Sequence, residues 1–147
     1  MKPVQVFCLI FLIDTMASFA KPEQSWQIYI EVEKPLFKEA KRDRRRVIDY
    51  MAKFHNLSAR KIVEIKYTTE FIDRNGAVIF KNNGSSKQDL KPGRSSRDKD
   101  FYSYRDNEFL SNDTYDILLP LVKSKSKKFQ NVSVRSIKFE NGDIIKF

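Results

Sequence analysis

Residues 63–71 carry the pattern that most narrows what this chain can fold into. Val63, Ile65, Tyr67, Thr69 and Phe71 alternate with Glu64, Lys66, Thr68 and Glu70, the period of two of a strand with one face in a core and one in water. Asp73-Arg74-Asn75-Gly76 follows, and Asn and Gly tolerate the positive φ that tight hairpin turns need. Residues 77–80 then read as a short return strand. A second alternation sets Trp26, Ile28, Ile30 and Val32 against Gln27, Tyr29, Glu31 and Glu33, a strand that Pro35 either ends or marks as an edge.

The rest of the chain extends the same theme. Residues 82–100 are polar, with Gly84, Pro92 and Gly93, and are expected to be a loop or a pair of short edge segments. Phe101, Tyr102 and Tyr104 suggest that a strand resumes, and residues 115–122 form a compact apolar run that Pro120 interrupts. Val132 and Val134 are out of phase with Ile137 and Phe139, which one extra residue in the strand, a bulge, would explain. Glu140-Asn141-Gly142-Asp143 turns the chain into a last strand over 144–147.

Residues 36–55 decide the fold class. As a helix they would place Leu36, Ala40, Val47, Met51 and His55 near one face. As a strand they would turn Ile48, Tyr50, Ala52 and Phe54 inward and Asp49, Met51, Lys53 and His55 outward. The helical face must bury or skirt Arg44, whereas the strand keeps charge out of the core. The strand is therefore preferred, and the fold is expected to be all-β. An α+β roll, with a helix at 36–55 packed on an antiparallel sheet, is the alternative.

The start of the chain reads as an export signal. Met1-Lys2-Pro3 is basic, residues 4–13 are apolar, and Ser18 and Ala20 stand at the −3 and −1 positions of a cut before Lys21. The apolar run is about half the length needed to span a bilayer as a helix. The expectation is a cleaved signal over 1–20 and a single β-sandwich domain over 21–147, secreted or periplasmic, with no stable membrane span once the signal is removed. Cys8 would leave with the signal, so the mature chain would hold no disulfide. Removing Lys2 and Asp14 leaves the net charge at +9.

The order of short motifs then resembles a family type. Phe54-His55-Asn56-Leu57-Ser58 closes one strand and Ile62 opens the next. Asp73-Arg74-Asn75-Gly76 makes a turn, Leu90-Lys91-Pro92-Gly93 opens a later strand, and residues 134–142 build the final hairpin. The succession resembles the small immunoglobulin-like or fibronectin-like β-sandwich modules of exported bacterial proteins. The resemblance implies an immunoglobulin-like β-sandwich that binds, spaces or caps other molecules, with another envelope or extracellular protein as its partner. It also implies that the sequons at Asn56, Asn83, Asn112 and Asn131 are turn chemistry and not glycan sites.

Few residues are available for catalysis. One His and one Cys exclude sites that need several such ligands or a Cys–His pair. There is no Gly-x-Ser-x-Gly elbow, no Ser-x-x-Lys and no phosphate-cradling Gly-rich loop. No cofactor or metal is expected. Asp98, Asp100, Asp106, Glu108, Asp113 and Asp116 offer oxygen ligands but lack the ordered spacing of a calcium loop. A small secreted hydrolase or toxin, ribonuclease-like and using His55 with Glu64, Glu70 and Arg60 nearby in sequence, is the alternative function. The positive charge is more suggestive. Lys41, Arg42, Arg44, Arg45 and Arg46 form one run, and Lys123, Lys125, Lys127 and Lys128 another. If the two converged they would make a surface attracting polyanions; otherwise they are solvated loops that aid solubility.

Overall fold

The computed structural model describes residues 25–99, 101–124 and 128–147. The expected signal at 1–20, and Asp100, Lys125 and Lys127, lie outside the described residues. A single 3-10 turn, Trp26–Ile28, leads into seven strands and one helix: β1 (Ile30–Arg42), β2 (Arg45–Asn56), β3 (Ile62–Ile72), β4 (Val78–Ser86), β5 (Tyr102–Arg105), α1 (Thr114–Lys123), β6 (Gln130–Phe139) and β7 (Ile144–Lys146). They form two antiparallel sheets, ordered β1-β2-β5 and β4-β3-β6-β7. The fold is mostly β, as the alternations require.

Aromatic rings hold the two sheets face to face. Tyr50 and Phe54 of β2 meet Phe71 and Tyr67 of β3 edge-on, at 4.8 and 5.2 Å between centroids. Phe37 stacks on Phe129 at 4.8 Å, and Phe80 meets Tyr104 at 5.5 Å. Offset and edge contacts of this kind add to the area such rings remove from water. One polar bridge crosses the core: the Tyr50 hydroxyl donates to Gln130 Oε1 at 2.7 Å and, its single proton spent, accepts from Thr69 at 2.8 Å.

The stretch 36–55 is neither one helix nor one strand, and the α+β roll is not what the chain forms. Residues Asp43 and Arg44, both at positive φ (50° and 66°), turn β1 into β2. Ile48, Tyr50, Ala52 and Phe54 point into the core as expected, but Asp49 and Met51 on the opposite face are buried too. The long connection between β4 and β5 lies over that face, with Gln88 against Met51 and Ser96 bonded to the backbone of Phe54. Pro35 does not end β1. It lies where the register with β2 slips between Glu33 and Leu36, on an edge strand, where a missing N–H costs nothing.

Two other expectations change. β4 runs on to Ser86, so part of the polar stretch is strand, and Asn83 and Asn131 stand in strands and not in turns. Leu90 does not open a strand; it bridges Ile62 alone before a turn. The apolar run over residues 115–122 forms most of α1, with Pro120 inside the helix. Asp113 caps its first turn by accepting from the Asp116 N–H at 2.9 Å, and Tyr115, Leu118 and Leu121 are buried at three-residue spacing. The bulge in β6 is where the phase change put it: Lys66 pairs with Ser136 and Tyr67 with Val134, leaving Arg135 as the extra residue.

The sheets differ in reach, and α1 fills the difference. Tyr50 is level with Phe71 and Gln130, where β3 finishes and β6 begins. The β1–β2 hairpin therefore overhangs the second sheet. α1 packs beneath it, with the Tyr115 hydroxyl donating to Glu39 at 2.5 Å and the Arg46 guanidinium 5.3 Å over the Tyr115 ring.

Candidate functional site

The first basic run sits at the overhanging hairpin, but not all of it faces outward for a ligand. Arg42 reaches back to Asp49 at 2.6 Å, and Asp49 is fully buried, with Ser103 donating to its other oxygen at 2.6 Å. A buried carboxylate without such partners would be strongly destabilising, so Arg42 is committed to the fold. Arg46 is committed likewise: it pairs with Asp106 at 2.6 Å and lies on Tyr115, and the hydrogen bond to Asp106 raises its pKa above the ordinary guanidinium value. Lys41, Arg44 and Arg45 are exposed and make no ion pair among the described residues.

Of the second run, Lys123 and Lys128 lie among the described residues. Lys123 closes the last turn of α1, where a cation complements the helix dipole. Lys128 borders a groove of about 420 Å³ between α1 and the β3–β4 turn. Arg46 stands at the opposite end of α1, about 12 Å away by the helical rise.

Beside the free cations of the hairpin lies an apolar projection that sequence reading overlooked. Phe109 is 94% exposed and Leu110 60%. Arg45 and Arg105 share a concavity with Phe109. The acids of this loop mostly serve the fold, since Asp106 pairs with Arg46 and Asp113 caps α1.

The residues considered for catalysis are not gathered. His55 Nδ1 lies 2.9 Å from Ser95 Oγ, and Ser95 donates its one hydroxyl proton to Glu33 at 2.8 Å. The imidazole must then donate to Ser95, the reverse of what a base activating a serine does. Glu70 pairs with Lys81, Glu64 meets Ser85, and Arg60 binds Asp143 and Asn141. Among the described residues no three His, Cys, Asp or Glu side chains cluster as metal ligands. Phe101, Tyr102 and Tyr104 serve the fold as expected: Arg42 lies 5.9 Å over Phe101, the Tyr102 oxygen accepts from the Ser85 N–H, and Tyr104 packs on Phe80.

The connection between β4 and β5 holds a concavity of about 690 Å³, lined by Lys87, Lys91, Arg94, Arg97 and Lys99 with Asp89 and Ser95. In the sequence these cations are interleaved with Asp89 and Asp98 and do not read as a run. Folding draws Asp98 to Lys53 at 2.8 Å and leaves Asp89 in the lining, 3.6 Å from Lys61.

The chain matches no protein-family model, and no curated protein or solved structure is detectably similar to it. Among the described residues no helix is long and apolar enough to cross a membrane.

Proposed function

We propose that this chain is an exported, non-enzymatic binding module of immunoglobulin-like type, and that it docks on another envelope or extracellular protein through its overhanging end. The strand order supports the type. β1, β2 and β5 face β4, β3, β6 and β7, the arrangement of an immunoglobulin-type sandwich whose central sheet carries one added strand beside the third. The pattern of residues 1–20 supports export.

The observation that carries the docking surface is Phe109, almost fully exposed beside Leu110 and next to Arg45 and Arg105. Aromatic and arginine side chains are the usual anchors of protein interfaces. Lys41, Arg44 and Arg45 at the hairpin would steer an acidic partner to them.

The test is a photo-crosslinking side chain placed at position 109 and, as a control, at Asn83, which is exposed on β4. A discrete crosslinked product from position 109 alone, lost on Arg44→Glu/Arg45→Glu, is expected. Equal products from both positions would contradict the reading.

A further inference from the structure

We infer that the concavity between β4 and β5 is a binding site for a sulfated glycan chain. The site is separate from the docking end. Asn56, which bonds to this connection, and Arg45 lie at opposite ends of β2, about 36 Å apart at a strand's rise per residue.

The first argument is charge. Lys87, Lys91, Arg94, Arg97 and Lys99 line one concavity with a single acid, Asp89, and none of the five makes an ion pair among the described residues. Asp98 is drawn off by Lys53 of β2 at 2.8 Å, and Asp89 lies 3.6 Å from Lys61, which leaves the lining with an excess of positive charge. Lys61 is itself held charged, its pKa raised first by the hydrogen bond to Glu140.

The second argument is rigidity. A loop built only to solvate charge has no need to be fixed, but this one is pinned along its length. Leu90 exchanges two backbone hydrogen bonds with Ile62, at 2.8 and 3.0 Å. Asn56 N–H donates to the Arg94 carbonyl at 3.0 Å, and Gly93 N–H donates to the Asn56 carbonyl at 2.9 Å. Asn56 Nδ2 also donates to the Leu90 carbonyl at 2.8 Å. Ser96 N–H donates to Phe54, and buried Gln88 bonds the backbone of Arg97 from both sides. Flexible cationic side chains thus stand on a fixed frame, which lowers the ordering cost of binding.

The third argument selects the polyanion. Among the described residues no aromatic side chain lines the concavity, so the stacking faces on which single-stranded nucleic acid depends are missing. The most exposed large apolar side chain, Phe109, is at the other end, and the one apolar side chain lining the concavity, Leu90, is buried. A volume of about 690 Å³ accommodates a short stretch of sugar chain. Its sulfates meet both lysines, as point charges, and arginines, whose planar fork matches oxyanions.

The purified protein is titrated with a heparin octasaccharide at several salt concentrations, and in parallel with single-stranded DNA of equal charge and with vesicles containing anionic lipid. The variants are Arg94→Glu/Arg97→Glu in the cleft and Arg44→Glu/Arg45→Glu at the hairpin, which alter net charge equally. Unchanged thermal melting establishes that both fold. The expected result is octasaccharide binding that weakens steeply with salt, falling on the order of tenfold or more in the cleft variant, with a shallower salt slope. The hairpin variant should change by about twofold or less. Equal losses in both variants, no binding by the unaltered protein at physiological salt, or tighter binding of DNA or vesicles would each overturn the assignment. A cleft variant that loses the octasaccharide but keeps the crosslink at position 109 separates this site from the docking surface.

Discussion

Gln88 grips the backbone of Arg97 at both of its polar groups. The Arg97 N–H donates to Gln88 Oε1 at 2.7 Å, and Gln88 Nε2 donates to the Arg97 carbonyl at 3.0 Å. Because Gln88 is only 5% exposed, the cationic loop is fastened from within. Gln88→Ala removes both bonds and should cost roughly 1–3 kcal/mol. Hydrogen exchange provides the sharper check: amides of residues 89–98 should exchange faster while those of β3 and β6 do not. Uniform acceleration would mean that the side chain supports the whole domain and not the loop.

Gly84 lies directly opposite Tyr67, and the ring covers it so closely that a Cβ at Gly84 would come within 2.4 Å of Tyr67 Cζ. Tyr67 is almost completely buried and edge-on to Phe54, so it has nowhere to go. Gly84→Ala should destabilise by about 1–3 kcal/mol, as overpacking does, and should lower the urea midpoint without altering the slope.

Arg42 is expected to behave as a structural residue. Arg42→Ala leaves the buried Asp49 with Ser103 alone, and should cost on the order of 1–3 kcal/mol. The double change Arg42→Leu/Asp49→Leu should recover part of that loss, because it removes the buried charge together with its partner. Arg44→Ala and Arg45→Ala, at exposed positions, should leave the urea midpoint nearly unchanged.

Alkaline pH tests the core. Burial raises the Tyr50 and Tyr67 phenols well above their ordinary value and pushes Tyr104 up to about 12. Tyr115 is likewise at about 12, through burial and then its hydrogen bond to Glu39. Since these folded-state values lie above the unfolded value of about 10, their contribution is complete below that pH and is lost as pH rises through the folded values. Denaturant midpoints should hold up to about pH 9 and fall steeply above about pH 10. Tyr104→Phe should lessen the fall.

What the sequence disclosed follows from where one face is wet. β3 was legible because Glu64, Lys66, Thr68 and Glu70 mark its solvent face, and the β6 bulge because Val134 and Ile137 must both be buried. β2 was only half legible, since Met51 lies under a connection that begins more than thirty residues later, and Asp49 is bonded to Arg42 and to Ser103 of β5. α1 was hidden by Pro120, although Asp113 and the spacing of Tyr115, Leu118 and Leu121 were available as signals. The basic runs were conspicuous, yet Arg42 and Arg46 are used by the fold. The cleft cations were obscured because Asp89 and Asp98 interrupt them in sequence, and only the fold shows that the five share one concavity while Asp98 turns to Lys53.

The most direct test of the cleft is a map of backbone amide shifts as a heparin octasaccharide is added to the isotopically labelled protein. Shifts that saturate together and concentrate in residues 87–99, with their neighbours at His55 and Asn56, are the predicted result. Shifts confined to the hairpin around Arg44 and Arg45, or spread evenly over the exposed lysines and arginines, would contradict it.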